Sequence, residues 1–147
     1  MSEPAGVRVF LCFDIDHDAD LGDRLSEQSR KGGSGFHVAS RSEAGAMTDR
    51  WQDGVRRRVR DAEEVIVICG EYTAASDRVN TELRIAQEEQ KPYLLLWGRR
   101  ELMCSMPVGV KRTACMYTWT WETLVNQVAQ TLRDSRPLEI PENCKRS

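Results

Sequence analysis

Apolar residues along this chain occur in two arrangements: short solid runs, and longer stretches in which they return every three or four positions. The solid runs are "VRVFLCF" (7–13), "EEVIVICG" (63–70) and "PYLLLWG" (92–98). Each is one strand long and apolar toward both faces, as in a parallel sheet covered above and below. "FHVAS" (36–40), entered through the flexible "KGGSG", predicts a short second strand, and "ACMYTW" (114–119) a fifth. Helical segments alternate with them: "ADLGDRLSEQSR", "DRWQDGVRRRVRDA", "SDRVNTELRIAQEEQ" and a closing "WETLVNQVAQTLRD" with Leu124, Val125, Val128, Ala129 and Leu132 on one face. This alternation specifies an α/β fold built from crossover units. Five strands in this order fit a flavodoxin-like, doubly wound parallel sheet with strand order 2-1-3-4-5. The pattern predicts one domain over residues 5–134. The tail, 135–147, carries two prolines and little that could pack, and is expected to be loosely held.

Composition narrows the function classes. The 147 residues suffice for one core without disulfide or metal support. A net charge of -2 with 30% charged residues gives no general attraction to nucleic acid or to an anionic membrane, so neither is expected as a partner. The opening "MSEPAGVRVFLCFDID" lacks the basic start of a signal peptide, and no stretch reaches transmembrane length. The five cysteines form no C-x-x-C or other metal spacing; reduced thiols in a cytoplasm and no bound metal are the expectation.

In a doubly wound sheet, ligands bind beyond the carboxyl ends of the strands where the strand order reverses, here between the first and third strands. That rule selects the loops "FDIDHD" and "GEYTAAS". The first places Asp14, Asp16 and Asp18 at alternating positions but fails the EF-hand template, with Ala19 at the glycine position and Leu25 at the twelfth; Asp18 or Asp20 is expected to cap the following helix, the alternative being a magnesium or ligand contact. A phosphoacceptor domain would need an aspartate ending the third strand, where this chain has Cys69-Gly70. Cys12 and Cys69 end adjacent strands and read as buried small hydrophobes rather than a redox pair. Trp51, Val55, Val59 and Ala62 form a buried helical stripe from which Arg56, Arg57 and Arg60 point outward; Arg58 falls inside it and must snorkel or find a carboxylate. His17 and His37 have no ligand or nucleophile spacing. Gly70, Thr73 and Ser76 form a turn feeding a helix, with Ser76 as its N-cap; the exposed N–H groups there suit either a plain cap or a phosphate.

Glu82 is the sharpest feature. At about 100° per residue, Val79, Leu83, Ile85 and Ala86 span one apolar arc, and Glu82 lies within it. A buried carboxylate requires a partner, an opening or a function. An ion pair with Arg78, one turn earlier, would be the ordinary explanation.

"VFLCFDIDHD", "FHVASRSE", "VRRRVRDAEEVIVICGEYTAASDRVNTELRIAQEEQKPYLLLWG" and "YTWTWETL", in this order and spacing, resemble the TIR-like (Toll/interleukin-receptor-like) proteins of bacteria. Within that family the likeness is to the TIR-like subunit of Thoeris anti-phage defence systems. The resemblance implies a flavodoxin-like fold and cleavage of NAD between nicotinamide and ribose, with Glu82 as the catalytic glutamate. NAD is then a substrate, and no cofactor is needed. It further implies that Phe13 stacks on a substrate ring, that Asp14, Ser40 and Arg41 border the substrate, and that Gly70, Thr73 and Ser76 shape its phosphate or ribose end. Receptor TIR domains carry Trp-Cys before the glutamate, where this chain has Arg78-Val79. The expected product is an ADP-ribose-derived, cyclic second messenger acting on a separate effector protein, and TIR–TIR contacts would allow a homo-oligomer. The rival readings are a non-catalytic TIR scaffold and an N-glycosidic enzyme of the nucleoside deoxyribosyltransferase type.

Overall fold

The computed structural model describes residues 6–133 and the backbone of Cys144–Lys145. The strands are β1 (Val7–Cys12), β2 (Phe36–Arg41), β3 (Glu64–Cys69), β4 (Tyr93–Trp97), β5 (Met116–Thr118) and β6 (Cys144–Lys145); the helices are α1 (Ile15–Ser29), α2 (Asp49–Asp61), α3 (Asp77–Glu88) and α4 (Trp121–Arg133). Five strands pair in parallel in the order β2-β1-β3-β4-β5, as the sequence pattern predicts. β6 adds a short antiparallel edge through Met116↔Lys145 and Tyr117↔Cys144. Apart from these two residues, the expected tail lies outside the described residues.

Strand alternation divides the interior into two layers. Val9, Leu11, Phe13, Ile66, Ile68, Leu94 and Leu96 face α1 and α4, meeting Leu21, Leu25, Leu124 and Val128. Phe10, Cys12, Val65, Val67, Cys69 and Leu95 face α2 and α3, meeting Val55, Val59, Val79, Ile85 and Ala86. β3 is buried along its whole length, which explains why its sequence is nearly all aliphatic. The outward arginines of α2 join it to α3: Arg56 pairs with Glu88 and Glu89, both at 2.7 Å, and Arg60 with Glu89 at 2.8 Å.

Three local readings need correction. α1 begins four residues before the expected segment, and its N-cap is Asp14, not Asp18 or Asp20; the Asp14 carboxylate accepts the Asp16 N–H at 3.0 Å. Asp18 instead sits at a kink (φ -124°, ψ 21°) and turns inward to Arg99, at 3.1 Å. Cys12, Cys69 and Cys104 are buried free thiols as expected, whereas Cys115 is disulfide-bonded, so not all five cysteines are reduced.

Candidate active site

Both loops singled out by the fold rule border one cleft of about 330 Å³, whose walls include Asp14, His17, Met47, Tyr72, Ser76 and Arg78. It opens where β1 and β3 lie side by side and the chain leaves them for α1 and α3. The first turns of both helices face it, each with a side-chain cap: Asp14 for α1, and Ser76, which accepts the Val79 N–H at 3.2 Å, for α3. The Asp14 carboxylate also binds Nδ1 of His17 at 2.8 Å, and the imidazole stacks on Tyr72 with centroids 4.1 Å apart. His17 and Tyr72 thus tie the loop after β1 to the loop after β3.

Glu82 lies on α3 one turn beyond Arg78, 1% exposed, on the sheet-facing side. Ser42, just past β2, donates its hydroxyl to Oε1 at 2.6 Å. The same hydroxyl oxygen accepts the Phe13 N–H at 3.1 Å, and the Ser42 N–H bonds the Leu11 carbonyl. Ser42 therefore fixes the carboxyl to the end of β1. Oε2 has no hydrogen-bond partner. Burial pushes the carboxyl up to about 7, against the lowering effects of the Ser42 bond, the neighbouring Cys12 thiol, and the charges of Arg78 and Arg58. Burial likewise raises the Cys12 thiol, and the Glu82 charge raises it further, so Cys12 is a neutral neighbour and not a nucleophile.

Arg78 is not the ion-pair partner the sequence suggested. Its guanidinium donates to the carbonyls of Glu43 (3.3 Å) and Gly45 (2.6 Å) and lies over the Trp51 ring, 5.2 Å from its centroid. It holds the segment after β2 against α3. Arg58 reaches Glu43 at 3.8 Å, the carboxylate partner expected for it.

The other expected contact residues divide. Asp14 and Ser76 line the cleft. Phe13 does not: strand alternation turns its ring to the opposite layer from Glu82, where it is 1% exposed, packed on Gly22 and covered by Arg41. Arg41 is committed to that side too, bound to Asp23 (2.9 Å) and Ser26 (3.2 Å). Ser40 pairs with Phe10 within the sheet. Gly70 and Thr73 support the turn from beneath, the Gly70 N–H donating to the Thr73 hydroxyl at 2.7 Å. Gly70 is required by its neighbour: a Cβ there would strike the Asp18 carboxylate, 2.7 Å from Oδ1. Gly70→Ala is expected to displace Asp18 from Arg99 and to lower stability by about 1–3 kcal/mol, measured by urea unfolding, whereas Gly54→Ala, in a roomier position, should not.

Among the described residues, no group of histidine, cysteine, aspartate or glutamate side chains could hold a metal ion, and no helix is long and apolar enough to cross a membrane. The residue missed at the sequence level is Ser42. Between Val9 and Phe10 the β1–β2 register shifts by one, so that Val38 pairs with Val9 but Ser40 with Phe10. Without that bulge, the sequence could not tell which residue after β2 turns toward α3.

No curated protein matches this sequence. In three dimensions the chain is similar to a prokaryotic SEFIR domain known from a crystal structure, with a TM-score of 0.47, 17% identity, and 87% of this chain and 97% of that one covered. Residues 10–100, more than half the chain and the span holding both loops, Ser42 and Glu82, match the family model described as "Thoeris protein ThsB, TIR-like domain". The chain belongs to that family, and its role is that of a TIR-like defence protein.

Proposed function

We propose that this protein cleaves NAD at the nicotinamide–ribose bond and releases an ADP-ribose-derived signal, with Glu82 as the catalytic carboxylate. The observation that carries this reading is the Glu82 carboxyl itself, buried one helical turn beyond Arg78 of the cleft wall, with one oxygen unpartnered and the other held by Ser42.

The chemistry asks little of the protein. When the C1′–N bond breaks, its electron pair returns to the pyridinium ring and nicotinamide leaves neutral, so the leaving group needs no general acid, in contrast to ordinary glycosides with their two carboxylates. The positive charge left on the ribose is what the enzyme must stabilise, and a carboxylate held in a low-dielectric pocket does so with little reorganisation. Water attacking C1′ and losing a proton gives ADP-ribose; attack by a nucleophile of the same molecule gives a cyclic isomer, the product suited to activating a separate effector. Asp14, Asp16 and Asp77 make the cleft wall acidic, which suits the cationic nicotinamide end. Arg78 lines the cleft one turn before Glu82 on α3 and would meet a phosphate oxygen once it releases the Glu43 and Gly45 carbonyls. In this account TIR–TIR contacts in a homo-oligomer would favour that release.

Incubating the protein with NAD and identifying the products by mass spectrometry, beside Glu82→Gln, tests the reading. Ser42→Ala supplies a readout independent of turnover. Removing a hydrogen bond that favours the carboxylate should move the Glu82 titration above its present value of about 7. Carbon-13 NMR of the glutamate carboxyls follows this directly, and an unchanged midpoint would remove Ser42 from the site.

A further inference from the structure

A second pocket, of about 280 Å³, lies at the carboxyl ends of β4 and β5 on the α1 side, lined by Arg24, Trp97, Gly98, Arg100, Thr118 and Trp119. It shares no lining residue with the cleft beside Glu82. Between the two, the first turns of α1 are joined to the end of β4 through Arg99, which binds Asp18 at 3.1 Å and Asp20 at 2.8 Å.

The charge around this pocket is unbalanced. On α1, Asp20 is taken by Arg99 and Asp23 by Arg41, at 2.9 Å. Arg24 and Arg100, both exposed, have no carboxylate within ion-pair distance among the described residues. Arg24 is nonetheless held in place, its guanidinium 4.8 Å from the centre of the Trp119 ring. A guanidinium held over an indole by its charge leaves its N–H donors available to a phosphate. The indole is fixed in turn, Nε1 of Trp119 donating to Gln28 at 2.9 Å and that of Trp97 to the Arg99 carbonyl at 2.8 Å. Gly98 contributes backbone to the wall, and a Cβ there would point inward, 2.8 Å from the Cys69 carbonyl oxygen.

From these features we infer that the pocket is a binding site for a nucleoside monophosphate, its phosphate held by Arg24 and Arg100 and its base against the indole wall. At about 280 Å³ the pocket has room for a mononucleotide. Two arginines beside a fixed aromatic group favour a ligand that is both anionic and flat over a bare phosphate. The site is independent of NAD cleavage and stands or falls apart from it.

The test titrates AMP, ribose 5-phosphate and adenosine into the full chain and its Arg24→Ala/Arg100→Ala double variant, by calorimetry and by proton–nitrogen NMR of the indole N–H signals. AMP is expected to shift Trp97 and Trp119 rather than Trp51 and Trp121, and to bind at least about tenfold more tightly than either fragment. The double variant should lose at least about tenfold in AMP affinity, with an unchanged circular dichroism spectrum, as both side chains are exposed. Absence of AMP binding at millimolar concentration, equal binding of ribose 5-phosphate, or undiminished binding by the double variant would each overturn the assignment. So would AMP-induced shifts confined to the Trp51 and Trp121 indoles.

Discussion

Glu82→Gln is expected to reduce NAD turnover at least about 100-fold while leaving the protein folded and no less stable at pH 8. Glutamine keeps the length of the side chain, and its carbonyl can still accept the Ser42 hydroxyl now bonded at 2.6 Å. What it lacks is the negative charge that a ribose cation requires. The stability half follows from linkage. In the fold the Glu82 carboxyl titrates at about 7, above its ordinary value of 4.5. A raised acid binds its proton more tightly when folded, so its contribution is full below 4.5 and declines as pH rises to about 7. By pH 8 the ionised group opposes folding by up to about 3 kcal/mol, an opposition glutamine lacks. For the wild type the same titration sets the pH profile. The carboxylate is the active form, so turnover should rise through pH 7 and level off above it. Undiminished turnover by Glu82→Gln would exclude Glu82 from the chemistry, and a large loss of melting temperature at pH 8 would mean that the charge is paired in solution.

The features legible in the sequence were those governed by period. Solid aliphatic runs marked β1, β3 and β4, helical spacing marked α2, α3 and α4, and the same spacing placed Glu82 inward before any fold was known. Alternation along β1 also separates Phe13 from Cys12, so the sequence contained the reason why Cys12, and not the Phe13 ring, neighbours Glu82. The missing information was which layer α3 would cover, and that is a property of the crossover rather than of β1. Ser42 was hidden for a different reason. One extra residue in β2 inverts every later facing, and no residue type near Ala39 marks a bulge. The α1 start was misplaced because apolar periodicity begins only at Leu21, while the first turn is held by Asp14, His17 and Asp18 through hydrogen bonds that hydrophobic patterning does not register.

At the other end of the sheet, Glu64→Leu is expected to stabilise the protein at pH 8 and to remove much of the pH dependence of its stability. Glu64 opens β3, is fully buried, and alternates with Ile66 and Ile68 on the α1/α4 side. Neither carboxyl oxygen has a hydrogen-bond partner. Burial, with the neighbouring Glu63 charge adding to it, raises the group from 4.5 to about 9. Glu63 itself is held by Arg8, whose backbone N–H donates to it at 3.0 Å and whose guanidinium lies 3.6 Å away, so Arg8 is already committed to a different carboxylate. The sign is the same as for Glu82 and the window wider. Stability should be unaffected by this group below pH 4.5 and fall steadily toward pH 9. Each pH unit within that window costs up to about 1.4 kcal/mol. Relaxation of the site and entry of water reduce this ceiling, so a gain of about 2–4 kcal/mol for Glu64→Leu at pH 8 is expected, shrinking at pH 5. Urea unfolding across this pH range measures both quantities. Because Glu64 lies at the amino end of β3, away from both clefts, NAD turnover should be unchanged. A destabilised Glu64→Leu protein at pH 8 would show instead that the ionised carboxylate is favourably held in the fold.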